Sequence, residues 1–207
     1  MANQTFDQAE HEVFVPRGRL RMSVSSRDEA AARTNQDQGL SISSLVLVAV
    51  LLAAGAILKL TLGSVLSFAG TKPNFIIAMY CLAILLARPK PRQAVVIGLI
   101  AGLICQVPMM NATPLLNIPS EMLGALSMGV LALVPLKLGK LDLGPLVSTF
   151  LATVVSGYTF VLLLAVVNGI DIPVALVTYA VMVFGTAVFN SVLVQILVVP
   201  LRKVLKK

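Results

Sequence analysis

The chain has 207 residues, of which 57% are hydrophobic and 12% charged, with a mean hydropathy of +0.93. A soluble domain is about one-quarter charged, so this composition excludes an ordinary soluble protein and points to an integral membrane protein. Sixteen Lys and Arg against nine Asp and Glu leave a formal charge of +7; the excess lies at the ends and in short connections, which is the pattern of topology signals and excludes a nucleic-acid-binding face.

Residues 1–39 are polar, with Arg17, Arg19, Arg21, Arg27 and Arg33 scattered among Ser, Gln, Asn, Asp and Glu. They are expected to form a disordered cytoplasmic extension. A cleavable signal would carry its apolar core near the start, whereas here the first apolar run begins about forty residues in, so the extension is expected to stay attached. The single histidine, His11, falls in it, which leaves no histidine for metal or acid–base chemistry in the apolar part. Cys81 and Cys105 lie inside apolar runs without metal-type spacing and read as small buried hydrophobes.

Six apolar segments follow over 40–207, with helices expected near 42–62, 73–88, 93–109, 118–136, 143–167 and 174–200. About twenty residues span the hydrocarbon core at 1.5 Å of rise each. The second and third segments are short, and a short helix is accommodated if its outer end opens into a cavity. Arg88, Lys90 and Arg92 follow the second helix, Lys137 and Lys140 the fourth, and Arg202, Lys203, Lys206 and Lys207 the sixth; the other connections hold Lys72 alone. The positive-inside rule makes the first set cytoplasmic, with both termini inside. The fold class expected is therefore an all-α membrane bundle of six transmembrane helices.

Between the first two apolar runs stands Gly70-Thr71-Lys72-Pro73-Asn74-Phe75. Proline fixes φ and lacks an N–H, so the second helix is expected to begin at Pro73, with Lys72 and Asn74 at its start. Lys59, the only charge in the first run, is expected to snorkel outward. Small residues mark helix contacts: Ala49 and Ala53 on the first helix, Gly98 and Gly102 on the third, Ala125 and Gly129 on the fourth. The two glycines of the third helix are expected to pack within the chain, and Ala49 and Ala53 are open to either packing or another subunit.

Ala49-xxx-Ala53, the Gly-x-Lys-Pro-Asn stretch, the basic 88–92 turn, Asn117 before the fourth helix and Phe189-Asn190-Ser191 in the sixth together resemble a known family. From Leu40 onward the chain is similar to the substrate-binding S components of energy-coupling factor (ECF) transporters, nearest the tryptophan-transporter-like branch. The resemblance implies capture of a small nutrient from outside, with tryptophan the first guess, and docking through Ala49 and Ala53 on a T component carrying two ATPases. The chain itself has no phosphate loop, because the lysine of Gly70-Thr71-Lys72 does not directly follow a glycine; ATP would be hydrolysed by the partners, and no cofactor or metal is expected. Two positions depart from the branch: Asn74 where an acid is usual after Lys-Pro, and Ser120-Glu121 where the branch has an aspartate–lysine pair.

Lys72, Asn74, Asn117 and Glu121 are the expected substrate-binding residues. An acid within a membrane helix is costly without a partner, and Lys72 is the expected partner of Glu121, the two bridging an amino-acid zwitterion. The alternative is that Glu121 sits in the first turn and complements the helix dipole. Asn74 and Asn117 supply amides at helix starts facing the outer cavity. Asn190 and Gln195 are expected to bond across helices, and Tyr80, Tyr158 and Phe160 to pack. Two rival functions stay open: an intramembrane enzyme, for which Glu121 has no recognisable catalytic partner, and a ligand-free membrane scaffold or assembly protein.

Overall fold

The computed structural model describes residues 40–66, 72–107, 113–138 and 141–205. The extension over 1–39, Gly70 and Thr71, residues 108–112, Lys140 and the last two lysines lie outside them. The described chain is helical almost throughout: α1 (Ile42–Val65), α2 (Ile76–Ala87), α3 (Pro91–Ile104), α4 (Asn117–Leu131), α5 (Gly144–Asn168), α6 (Ile172–Thr178) and α7 (Ala180–Leu205). A single 3-10 turn, Pro114–Leu116, precedes α4, and a two-residue antiparallel ladder pairs Lys137 with Asp142 and Leu138 with Leu141.

Three helices, α1, α5 and α7, are long and apolar enough to cross a membrane. Their 24 to 26 residues reach about 36–39 Å. The 12 residues of α2 reach only about 18 Å, and α2 is no lipid-facing rod. Every residue from Ile76 to Leu85 is buried, so the helix is enclosed by its neighbours and apolar all round. It is the central strut of the compact unit Leu40–Lys207.

Small residues bring the other helices close. On α1, Gly55 and Gly63 face inward: a Cβ on Gly55 would stand 2.9 Å from the Ile76 Cα, and one on Gly63 3.3 Å from the Pro73 carbonyl. Gly98 and Gly102 of α3 lie against the backbone of α4 at Glu121 and Ile118, and Gly129 of α4 lies against Ala94. Ala49 and Ala53 do the opposite. They are exposed, on the outer face of α1 among Val46, Val50 and Ile57, and none of the described residues covers them.

Element boundaries correct the sequence reading in four places, the third helix being one: it runs Pro91–Ile104 and closes where the Gln106 and Val107 N–H groups turn back to Leu103 and Ile104 O. The second helix starts at Ile76 and not at Pro73, because Asn74 Oδ1 accepts the Ile76 N–H at 3.3 Å and holds 72–74 as an irregular strip. The fourth stops at Leu131; its end tightens through Leu133 N–H to Val130 O and Val134 N–H to Leu131 O, and Pro135 disfavours helical geometry at the residue before it. The sixth expected helix is two, α6 and α7, interrupted at Tyr179. Asp171 caps α6 by accepting the Val174 N–H at 3.2 Å.

At the ends, chemistry separates two sides. Arg88 after α2, Asp142 before α5 and Arg202 near the end of α7 border one hollow, and Arg202 Nη1 donates to Asp142 Oδ2 at 2.9 Å. Lys72 and the start of α4 border another, reached from the opposite ends of the same helices.

Candidate functional site

The irregular strip before α2 places Asn74 between three elements. Its side-chain Nδ2 donates to Glu121 Oε1 of α4, its Oδ1 holds the start of α2, and its backbone carbonyl accepts from Asn190 Nδ2 of α7 at 3.2 Å. Glu121 is 1% exposed. It stands more than one turn into α4, and no acid lies in the first turn, so the helix-dipole reading of Glu121 is set aside. Its second oxygen accepts from Ser156 Oγ of α5 at 3.4 Å. Beside Ser156, Thr153 Oγ1 is 3.5 Å from Asn190 Nδ2, which completes a buried polar layer across α2, α4, α5 and α7.

The cation that serves this layer is Lys59. It is 0% exposed, and Nζ donates to Cys105 Sγ at 3.2 Å. The outward snorkelling expected for Lys59 is therefore overturned: Gly55 and Gly63 thin α1 on the same face, and that face packs against protein. Lys59 is the charge that acts on Glu121, and Cys105 lies within reach of the Asn74 amide. Lys72, expected to pair with Glu121, instead donates to Ser64 Oγ at 3.0 Å; among the described residues the ion pair present is Arg202–Asp142.

Tyr80 inserts from α2. It is wholly buried, and its hydroxyl lies beside Glu121 and Ser156 without a hydrogen bond of good geometry to either. Asn190 Oδ1 is a second buried acceptor without a partner. Such groups are normally satisfied, so water or a solute atom belongs beside them. Gly124 makes room for Tyr80: a Cβ there would run into the tyrosine hydroxyl and stand 2.7 Å from Ser156 Cβ.

Above the layer is a small cavity of about 40 Å³, bordered by Lys72, Asn74, Asn117 and Glu121 together with Thr153, Ser156, Phe160 and Met182. All four residues expected from the sequence thus line one hollow. Asn117 is buried, and its Nδ2 donates to Pro114 O at 3.0 Å. Since one water needs roughly 10–15 Å³ of such space, the cavity as it stands admits only a few waters or a very small molecule. A larger apolar groove of about 470 Å³ adjoins it, sharing Pro73, Met182 and Thr186 and walled by Phe75, Phe189 and Gly185. Phe75 and Phe189 lie with ring centroids 4.8 Å apart.

No protein-family model matches this chain, and no curated protein or solved structure matches it either.

Among the described residues no group of His, Cys, Asp and Glu is placed to hold a metal ion. The chemistry available is a buried carboxylate, an internal ammonium, two amides and hydroxyls. That set offers donors and acceptors for a polar group. The sequence reading missed Lys59, Tyr80, Thr153 and Ser156. A signal existed for three of them, Lys59 as the lone charge in an apolar run and Thr153 and Ser156 on one helical face with Ser148 and Thr149, and none for Tyr80.

Proposed function

We propose that the chain is the substrate-binding membrane subunit of an ECF-type importer, resident in the cell membrane as a multi-pass protein. It captures a small amino-acid-like or vitamin-like nutrient, tryptophan remaining the first guess, and docks on a T component with two ATPases that supply the energy. The observation that carries this reading is the convergence of Lys72, Asn74, Asn117 and Glu121 on one cavity, above buried polar atoms that lack partners. Glu121 and Asn74 hold the polar end of the solute, and the adjoining groove takes its apolar part once Met182 and Phe75 move aside.

The six-span arrangement with both termini cytoplasmic is part of the same proposal. It is supported by the grouping of Arg88, Asp142 and Arg202 at one end of the helices, away from the Lys72 cavity. The short α2 is then enclosed by its neighbours, while α3 and α4, with exposed outer faces at Val96, Leu103, Leu123 and Val130, complete the bundle beside the longer helices. The exposed Ala49–Ala53 face serves as the docking surface for the T component, since small residues allow close helix approach in lipid.

The test is binding by the purified protein to a panel of amino acids and vitamins, with Glu121→Gln alongside the wild type. Loss of one charge-assisted contact to the solute should weaken binding about tenfold or more. Equal affinity of the two proteins, or no ligand in the panel, sinks the solute site. The intramembrane-enzyme reading would instead require turnover of a bound substrate, and the scaffold reading requires that joint substitution of Lys72 and Glu121 leave activity intact.

A further inference from the structure

The end of the bundle opposite the Lys72 cavity contains a second hollow, about 410 Å³ in volume, which solute capture leaves unused. Its polar wall consists of Arg88, Asp142, Ser148 and Arg202; Leu85 and Leu133 belong to its apolar wall. Leu133 is 68% exposed, so the apolar wall runs out onto the surface that hydrocarbon would cover.

Arg88 closes α2 with φ 48° and ψ 53°. Among the described residues it is the one non-glycine residue with positive φ. Helix ends in this left-handed conformation ordinarily carry glycine, which has no Cβ to crowd the backbone. An arginine there bears a conformational cost that glycine would avoid, and a strained residue bordering a hollow points to a use for its side chain. Arg202 reaches the same hollow from α7. Its Nη1 is bound to Asp142 Oδ2 at 2.9 Å, while Asp142 Oδ1 accepts the Gly144 N–H at 3.2 Å. The aspartate is thereby engaged on both oxygens. It fixes one edge of a guanidinium that has five N–H donors in all. Ser148 Oγ donates to the Gly144 carbonyl at 2.5 Å and so shapes the wall without offering a free proton. Two guanidinium groups against one carboxylate leave the hollow net positive.

We propose that this hollow binds the phosphate head group of an anionic phospholipid, with Arg88 and Arg202 on the phosphate and an acyl chain along the Leu85–Leu133 wall. Guanidinium groups match phosphate with paired, charge-assisted hydrogen bonds, and basic pockets between helices at the basic end of a membrane protein suit anionic head groups. The apolar wall favours a lipid over a free anion. The inference rests on the membrane character of the chain and is independent of solute capture.

The full chain is placed in nanodiscs of phosphatidylcholine, of phosphatidylcholine with phosphatidylglycerol, and of phosphatidylcholine with inorganic phosphate in the buffer. Thermal unfolding and native mass spectrometry are read in each. Phosphatidylglycerol should raise the unfolding temperature of the wild type and remain bound on ionisation. Arg88→Gly removes the guanidinium and relaxes the backbone, so it should lose the phosphatidylglycerol-dependent rise, with affinity for that lipid about tenfold weaker, while folding normally in phosphatidylcholine. Arg92→Gln, an exposed neighbour outside the hollow, should keep the rise. The proposal fails if phosphatidylglycerol gives no rise, if Arg88→Gly retains it, if Arg92→Gln loses it equally, or if inorganic phosphate alone reproduces it.

Discussion

Replacing Lys59 by Met tests whether the buried cation of α1 stabilises the polar layer around Glu121. Lys59 is fully buried, and Glu121 is 1% exposed. The carboxylate keeps its hydrogen bonds from Asn74 and Ser156 in the variant, but it loses the cation that acts on it. Lys59 is not in direct ion-pair contact with Glu121, so the cost is that of its contact with Cys105 and a longer-range attraction, about 1–3 kcal/mol and below that of breaking a direct buried pair. For a unit of this size each kcal/mol lowers the melting temperature by about 2–4 °C, so Lys59→Met should melt roughly 2–12 °C below the wild type. Glu121→Gln in the Lys59→Met background removes the carboxylate that the lysine attracts, so the double variant should lose less than the sum of the two single variants. The assay is thermal unfolding in detergent for the two single variants, the double variant and the wild type. A Lys59→Met protein that melts with the wild type, or a double variant whose loss equals the sum of the single losses, would refute the coupling and return Lys59 to a packing role.

Three further predictions follow from the packing. Gly98→Ala puts a Cβ against the Glu121 carbonyl and 2.8 Å from Ala125 Cβ; backbone cannot yield cheaply, so a loss of about 1–3 kcal/mol is expected in the same melts, together with weaker solute binding because the turn carrying Glu121 shifts. Gly185→Ala meets nothing within 4 Å, and replacing a helical glycine by alanine should leave stability unchanged or raise it by up to about 1 kcal/mol. Ala53→Trp, on an exposed face, should change the melting temperature by less than Gly98→Ala does, yet abolish copurification with the T component and its ATPases if that face is the docking surface.

What the sequence determined unaided was whatever depends on local composition and spacing. Long apolar runs dictate helices, and the run lengths separate α1, α5 and α7 from the short α2, because hydrogen bonding within a segment and transfer to an apolar medium are properties of the segment itself. A lone acid in such a run likewise marked Glu121 as a residue in need of a partner. Which partner it has was decided only by tertiary structure. Lys72 was the nearer choice by position along the helices, but the thinning of α1 at Gly55 and Gly63 turns Lys59 inward to Cys105, and Lys72 bonds Ser64 instead. Tyr80, Ser156 and Asn190 join the site from three further helices. Spacing within one chain segment fixes a face, whereas the meeting of faces depends on how closely small residues let backbones approach, and that is set by all the helices at once.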